Sequence, residues 1–263
     1  FESAVRDGMD VINFSGGGPQ ADPRTDAMMP AITHVVRAGV VPVISAGNDR
    51  DFFGLGTSGS PSTAPEAISV GATANGHVFD ASMSVVTPGV AIGRIPFVPV
   101  DTIPPSWITA NQRLVDVGSF PGVSPLMCGD GAALPANAVR GAIALVSRGG
   151  CPFDAKVARL RDGGAVGTVV VDNRGGDPQF ALFQGNGGMI SDLDGSRLRS
   201  AMASTGGALQ LLFTRDLLEV DTTWAGVPTS FSAGGLTPFG HNLKPDVTAP
   251  GANIISSTLP ENA

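Results

Sequence analysis

The sequence predicts an α/β protein whose partial parallel sheet, flanked by helices, is interrupted by a separate α+β domain. Residues 1–74 alternate helix-like stretches with short, almost continuously apolar strands, a pattern typical of parallel strands covered on both faces. Residues 75–223 differ in sequence pattern and have enough apolar segments for a core of their own. The first pattern returns in residues 224–263, so we expect these to complete the domain begun by residues 1–74.

The strands of the first part are predicted from short apolar runs. They are expected at residues 11–14, 40–45 and 67–72, each bounded by glycine, proline or small polar residues. Residues 243–251 lie in the last part of the chain, which returns to the pattern of the first. Together these segments give the parallel sheet of the predicted α/β domain.

One amphipathic helix is predicted between the first two strands. Ile32 and Val35 belong to its apolar stripe, and Gly39 is placed as its C-terminal cap. Asp22, followed by a proline, has the pattern of an N-terminal cap. Pro30 breaks the pattern, so it either kinks this helix or marks its true start.

The middle part contains a second alternation of strands and helices. Proline-rich connections lead to strands expected at residues 141–146, 168–171 and 208–213. Helices are expected from Phe153 to a glycine pair at residue 163, and over residues 192–203. This part therefore reads as a domain of its own.

Composition limits the classes of function. The chain is 42% apolar and 15% charged, as in a well-buried globular protein. Its net charge is −7 and it contains no run of Lys or Arg, which argues against nucleic acid or an anionic membrane surface as a partner. No apolar run approaches the roughly 18 residues of a membrane span. The chain opens at Phe1 without an initiator Met or a signal peptide, so we expect it to be a piece of a longer protein.

Generic motifs give no catalytic or metal site. Residues 16–18 form a glycine run after a strand, but a proline follows at once and no phosphate-loop spacing fits. His34, His77 and His241 are too scattered to form a set of metal ligands. We therefore expect no metal site from these residues.

The two cysteines, Cys128 and Cys151, leave two alternatives open. They are either buried free thiols or a disulfide, and the disulfide is favoured if the protein is exported. Two cysteines without a neighbouring Cys or His cannot form a zinc site.

Four motifs carry a resemblance to the subtilase family. Residues 7–18 resemble the segment D-G-x-D-V-I-N-x-S-x-G-G, and residues 38–48 resemble the strand that ends in A-G-N. Residues 60–72 are similar to S-P-x-x-A-P-x-A-I-x-V-G-A, and residues 243–251 to L-K-P-D-V-x-A-P-G. The motifs occur in the family's order. The resemblance implies a subtilisin-like fold and a serine endopeptidase acting on protein or peptide substrates.

The middle part resembles the protease-associated domain. Residues 141–156 are similar to its pattern G-x-I-x-L-V-x-R-G-x-C-x-F-x-x-K, and residues 163–173 continue it. Residues 194–198 resemble the later D-G-x-x-L element. The resemblance implies an insert that guards or extends access to the substrate site. The alternative function is a protein-interaction module that recruits substrate within a non-catalytic or degenerate protease homologue.

The subtilase resemblance implies roles for seven residues. Asn48 would be the oxyanion-hole side chain and is the catalytic candidate. The substrate-binding candidates form two groups: an exposed backbone edge and one wall of the specificity pocket. The edge consists of Ser15, Gly16 and Gly17, and the wall of Ser45, Ala46 and Gly47. The family further implies that no cofactor is required and that the protein is secreted or at the cell surface.

The sequence departs from the family in its triad. No D-S/T-G, H-G-T-H or G-T-S-M-A segment occurs, and in the family the first two would precede Phe1 and the third would follow Ala263. Ser256 and Ser257 lie in a different context. Residues 231–235 read F-S-A-G-G, where relatives with this insert often show F-S-S-R-G. We therefore expect this chain alone to be inactive.

Two further expectations concern ligands and assembly. Subtilases often bind structural calcium, and carboxylates occur at Asp49, Asp51 and Asp80, but without an EF-hand-like spacing. Apolar surface is expected where the missing parts of the fold would dock, which favours oligomerisation.

Overall fold

The computed structural model describes residues 1–178 and 183–254. The chain divides into two compact units, with Phe1–Gly76 and Thr223–Ala263 in unit 1 and His77–Thr222 in unit 2. From the sequence we placed the corresponding borders after residues 74 and 223. Ser256 and Ser257 lie outside the described residues.

Helices and strands alternate in both units. In chain order they are α1 (Glu2–Arg6), β1 (Val11–Phe14), α2 (Met28–Arg37), β2 (Val41–Ser45), α3 (Arg50–Phe53), β3 (Ile68–Thr73), β4 (His77–Val85), β5 (Ile95–Pro99), α4 (Pro105–Thr109), β6 (Gln112–Asp116), β7 (Ile143–Ser147), α5 (Phe153–Asp162), β8 (Gly167–Val171), β9 (Gly187–Ile190), α6 (Asp192–Thr205), β10 (Leu209–Asp221), β11 (Gly235–Leu236), β12 (Leu243–Lys244) and β13 (Val247–Pro250). A single turn of 3-10 helix, Val117–Ser119, follows β6.

Unit 1 is built on a parallel sheet of four strands in the order β1-β2-β3-β13. The register places Val11 opposite Val41, and Ile44 opposite Ser69. Strand β13 pairs with β3 although about 175 residues separate them in the chain, with Val247 opposite Val70. The predicted α/β class with a parallel sheet is confirmed.

The helix before β2 begins later than Asp22, so the predicted cap at that residue is wrong. Asp22 starts a turn in which its carbonyl accepts hydrogen bonds from the amides of Thr25 and Asp26. The helix α2 starts at Met28, whose amide donates to the Asp26 carboxylate at 2.9 Å. Pro30 then lies in the first turn, where its missing N–H is not needed. Pro30 therefore marks the start of the helix.

One face of the unit 1 sheet is covered and the other is exposed. Ile32 of α2 and Ile44 of β2 are both fully buried and belong to one core cluster. On the opposite face Val11 is 57% exposed and Val247 is 51% exposed. The expectation that these strands are covered on both faces is wrong for this sheet, within the residues described.

Unit 2 is a closed barrel of seven strands in the order β10-β4-β5-β9-β8-β7-β6. The run β6-β7-β8-β9 is parallel, and the remaining pairs are antiparallel. Alternate residues of β7 enter two different core clusters, Leu145 with Phe97 and Phe213, and Val146 with Leu160 of α5. These strands are therefore covered on both faces.

Several strands of unit 2 are absent from the sequence prediction. From the sequence, Ile95 and Pro96 belong to a proline-rich connection, whereas the structure places them in strand β5. In the barrel Pro96 lies opposite Ser82 of β4. The structure also joins Cys128 and Cys151 in a disulfide, with their Cα atoms 5.6 Å apart. None of the described helices is both long and apolar enough to cross a membrane.

Candidate functional site

A cleft of about 440 Å³ lies in unit 1, at the carboxyl ends of the parallel strands. Open α/β sheets bind their ligands at this edge, because the loops that follow the strands meet there. Four strands contribute to the cleft. The residues that line it are Asn13, Ser15, residues 43–48, residues 70–72, Phe231 and residues 249–251.

The end of β2 is fixed by backbone hydrogen bonds on three sides. The Ala46 amide donates to the Val70 carbonyl of β3 at 2.9 Å. The Ala46 carbonyl accepts from the Gly59 amide at 3.0 Å, and the Gly47 carbonyl accepts from the Ala233 amide at 2.9 Å. The chain leading to Asn48 is therefore held in one path.

Gly47 has a backbone conformation that favours glycine. Its φ is +109°, a region that L side chains rarely adopt. A Cβ here would lie 3.5 Å from the Cβ of Ala233. The backbone conformation, more than the available space, therefore restricts this position to glycine, and the turn sets the direction of the next residue.

The side chain of Asn48 is exposed at the cleft. No hydrogen bond of its amide to any residue in the described ranges is found. The residues on either side are fixed, since Gly47 is bonded as above and the Arg50 amide donates to the Phe231 carbonyl at 3.3 Å. An amide N–H on a fixed backbone is thus available to a ligand.

Residues 15–17 follow β1 on another side of the cleft. Ser15 and Gly17 are exposed, and within the described chain the backbone groups of these three residues take part in no backbone–backbone hydrogen bond. The segment is anchored immediately afterwards, because the Gly18 amide donates to the Ser60 carbonyl at 2.9 Å. A Cβ at Gly17 would lie 2.9 Å from that same carbonyl oxygen, so only glycine fits. The result is an unpaired backbone edge of the kind to which an extended peptide adds.

The third wall is the end of β3, and a distant segment holds it. The Ala72 amide donates to the Ser232 hydroxyl at 2.9 Å, and the Ala72 carbonyl accepts from the Thr229 amide at 3.0 Å. A Cβ on Gly71 would lie 2.8 Å from the Pro245 ring, so the wall is closely packed. Small residues at this edge leave room for the cleft.

Residues 231–234, which we call the clamp, were not assigned a role from the sequence. The clamp contacts the ends of both β2 and β3, through Ala233 and Ser232 respectively. Its Gly234 carbonyl also accepts from the Gly56 amide at 2.7 Å. A signal in the sequence is the small-residue stretch F-S-A-G-G shortly before the residue 243–251 motif.

The cleft itself carries no charge. None of the described residues that line it is ionisable. Among the described residues, no group of three or more His, Cys, Asp or Glu side chains could hold a metal ion. Asp49 and Asp51 belong to unit 1 and Asp80 to unit 2. The cleft can bind and polarise a ligand but holds no general base.

An ion pair with a buried lysine supports the sheet behind the cleft. Lys244 is 3% exposed, and its Nζ donates to the Ala67 carbonyl and to Asp246 Oδ2, each at 2.8 Å. The same Oδ2 accepts from the Ser69 amide at 2.7 Å. Burial raises the pKa of Asp246, but the hydrogen bonds from Lys244 and Ser69 outweigh it and hold the pKa below 3.8. The carboxylate therefore joins β13 to the start of β3.

Comparison with known proteins finds relatives that are extracellular or secreted proteases. The chain is 30% identical over 265 residues to the minor extracellular protease Vpr of Bacillus subtilis, covering 98% of this chain and 30% of that protein. It is 27% identical over 263 residues to the CO(2)-response secreted protease of Arabidopsis thaliana, covering 98% of this chain and 33% of that protein. The chain thus spans about a third of the length of these two relatives.

A solved structure and a family model extend this comparison. A psychrophilic subtilisin-like protease, Apa1 from Pseudoalteromonas sp. AS-11, is 16% identical with a TM-score of 0.42, over 86% of this chain and 59% of that one. The model of the subtilase family, Peptidase S8, matches residues 1–263. The chain belongs to the subtilase family.

Proposed function

We propose that the chain is part of a subtilisin-like serine endopeptidase and supplies the oxyanion-hole donor and the substrate edge. The observation that carries this proposal is the Asn48 amide, exposed at the carboxyl end of a parallel strand between two fixed residues. A donor that is fixed before the reaction stabilises negative charge as it develops, without reorganising.

In this proposal an extended peptide pairs with the backbone of residues 15–17. Its scissile carbonyl lies against Ala46 and Gly47, and the Asn48 amide donates to the carbonyl oxygen as it becomes an oxyanion. The reaction needs a nucleophile, a base and a residue that orients the base, none of which lines this cleft among the described residues. We propose that other segments of the longer protein supply them, that no cofactor is required, and that the isolated chain hydrolyses no peptide.

The test uses the longer protein that contains this chain. Asn48→Ala should lower kcat on a peptide substrate and change KM little, because the donor acts in the transition state. Asn48→Asp should be no better, since a carboxylate repels an oxyanion. Asn75→Ala is the control, since among the described residues the Asn75 side chain bonds only the Gly76 amide. Unchanged kcat in Asn48→Ala would contradict the assignment, as would serine-inhibitor-sensitive hydrolysis by residues 1–263 alone.

A second function is proposed for unit 2, as a protease-associated domain that recruits protein substrate. Support comes from a second cleft of about 790 Å³, lined by the apolar side chains of Val115, Phe120 and Met202 together with Arg113 and Arg199. Apolar walls with a few polar groups suit binding more than chemistry. Phe120→Glu should weaken the binding of an unfolded protein to the chain, measured by fluorescence anisotropy. Equal binding would argue against this cleft.

Secretion and self-association are part of the same proposal. The named relatives are extracellular or secreted proteases, which supports export of this protein. The exposed sheet face that includes Val11 and Val247 supports association through apolar surface. Light scattering of residues 1–263 should show a dimer or larger species, and Val11→Lys should shift it towards monomer. Structural calcium would raise the melting temperature, and an unchanged value on addition of EDTA would argue against it.

A further inference from the structure

The disulfide of unit 2 lies beside a buried lysine. Lys156 is fully buried at the start of α5, and its Nζ hydrogen-bonds to the carbonyl oxygens of Leu126 and Gly149. The third contact is with Cys128 Sγ at 3.4 Å. An ammonium has three N–H groups and three acceptors surround this one, so the charged form is the form that satisfies every contact.

A second cation lies next to the same cysteine. Arg159 Nη1 donates to the Met127 carbonyl at 3.2 Å, and a Cβ placed on Gly129 would lie 3.1 Å from Arg159 Nη2. The Arg159 guanidinium thus lies beside the two residues that flank Cys128 in the sequence. Burial lowers the pKa of Lys156, the charge of Asp130 raises it, and the charge of Arg159 lowers it further. The surroundings of Cys128 Sγ are therefore cationic, with Asp130 as the opposing charge.

The two sulfur atoms differ in their surroundings. Cys128 Sγ lies against Gly150, where a Cβ would approach within 2.9 Å, and against the Lys156 ammonium. Both cysteines are partly exposed, and Cys151 lies between the exposed residues Gly150 and Pro152. A small thiol can therefore reach either sulfur, and the choice between them depends on which cysteine is the better leaving thiolate.

We propose that Cys151 is a site of S-thiolation by small thiols, with Cys128 as the leaving thiolate. The thiolate of the incoming thiol attacks Cys151 Sγ, a new S–S bond forms, and the Cys128–Cys151 bond breaks with its electron pair on Cys128 Sγ. The Lys156 ammonium then bonds a thiolate in place of a disulfide sulfur, without a proton transfer. A second small thiol reverses the modification at Cys151, releases a small-molecule disulfide and leaves both cysteines reduced.

A competing effect acts on Cys151. This residue lies one position before Pro152, the N-terminal cap of α5, and helix N-termini stabilise thiolates. That effect falls off outside the helix, and Cys151 precedes the cap, whereas a cation in direct contact shifts a pKa by about 1–3 units. Cys128 is therefore the better leaving group.

The first test measures the thiolate pKa of each cysteine from the pH dependence of its alkylation rate by iodoacetamide. The chain has only two cysteines, so Cys151→Ser and Cys128→Ser each leave one thiol. Cys128 should titrate about one to two units below the ordinary 8.5, and below Cys151. A Cys128 pKa at or above 8.5, or above that of Cys151, would overturn the proposal.

Substitution of Lys156 tests whether this lysine stabilises the Cys128 thiolate. Lys156→Met in the Cys151→Ser background should lower the alkylation rate of Cys128 at pH 7 roughly tenfold, as expected for a loss of 1–2 pKa units of thiolate stabilisation. The chain's other lysine, Lys244, is also buried but lies in unit 1, so Lys244→Met should leave the rate unchanged. If Lys156→Met does not fold, the pKa measured with Lys156 in place decides the matter.

The second test identifies the modified sulfur. The native chain is treated briefly with reduced glutathione, quenched with iodoacetamide, and digested for mass spectrometry. Glutathione should be found on Cys151 and the alkyl group on Cys128. The reverse distribution, or an equal one, would overturn the assignment of the leaving group.

Discussion

The ion pair between the buried Lys244 and the exposed Asp246 predicts an asymmetric response to mutation. Asp246→Ala leaves the Lys244 ammonium buried at 3% exposure with only the Ala67 carbonyl, and leaves the Ser69 amide without its acceptor. Lys244→Met leaves the Asp246 carboxylate bonded to the Ser69 amide, with its side chain 40% exposed to water. The aspartate substitution should therefore be the more damaging of the two.

The magnitudes follow from what each variant leaves unpaired. An uncompensated buried charge costs about 3–5 kcal/mol, so Asp246→Ala should lower the free energy of unfolding of unit 1 by that amount. Lys244→Met loses a charge-assisted hydrogen bond to a hydrated partner and one bond to a carbonyl, about 1–3 kcal/mol. Asp246→Asn should be intermediate, since its amide oxygen can still accept from Ser69.

The assay must report unit 1 alone, because a two-unit chain need not unfold in one step. Urea titration of residues 1–263 with pulsed hydrogen exchange, read on peptides that cover β3 and β13, gives the midpoint of unit 1. A larger loss for Lys244→Met than for Asp246→Ala would refute the reasoning, because it would mean that the exposed carboxylate is harder to leave unpaired than the buried ammonium.

The pH dependence gives a second check on the same pair. The pKa of Asp246 is below its ordinary 3.8 in the folded chain, so the unfolded chain holds the proton more tightly. The stabilisation is therefore present above about pH 4 and is lost as the pH falls through the folded pKa. The difference in stability between the native chain and Asp246→Ala should shrink in that acid range.

Other predictions follow from single positions. Burial, with a smaller contribution from the charge of Asp177, raises the pKa of Asp80 from 3.8 to about 6, and its buried Oδ2 has no hydrogen-bond partner among the described residues. The folded chain thus holds this proton more tightly, so the stability of unit 2 should fall as pH rises from 4 through 6. Asp80→Asn should remove this slope and add about 2 kcal/mol at pH 7, measured by urea titration. An unchanged slope in the variant would contradict this prediction. Gly59→Ala should destabilise unit 1 by more than 1 kcal/mol, because its Cβ would lie 2.3 Å from the Gly18 carbonyl oxygen, whereas Gly18→Ala, with nothing within 4 Å, is the neutral control in thermal melts. Equal melting temperatures for these two variants would contradict the close approach of Gly59 to the Gly18 carbonyl oxygen.

The sheet of unit 1 could be predicted because its strands are local apolar runs. Strand β1 has the predicted bounds, β2 begins one residue later than predicted, and β3 is shifted by one residue at both ends. The start of α2 could not be placed, because Asp22 caps a turn as readily as a helix. Strand β5 could not be predicted either. The cost of a proline in a strand depends on whether the neighbouring strand needs the N–H that proline lacks.

The segments of the candidate site could be predicted one by one from the sequence, but their arrangement could not. The resemblance assigned roles to Asn48 and to residues 15–17, and of these Asn48 and Ser15 line one cleft. The clamp could not be foreseen, because its hydrogen bonds to Gly47 and Ala72 join parts of the chain about 160 to 190 residues apart. Such contacts depend on tertiary structure, which local periodicity does not record.

The geometry of unit 1 explains how a site can depend on residues on both sides of a long interruption. The Ala74 amide donates to the Val227 carbonyl at 2.9 Å, and the Gly226 amide donates back to the Ala74 carbonyl at 3.1 Å. Thr73 lies opposite Pro228 in an isolated bridge, so the chain leaves and re-enters unit 1 at one place. Because the entropy of closing a loop grows only with the logarithm of its length, the intervening residues add little to the cost of bringing these ends together. The chain that returns at Pro228 reaches the clamp within a few residues. The bridge at Thr73 therefore sets the register in which Ser232 meets Ala72 and Ala233 meets Gly47, and it fixes the turn that presents Asn48.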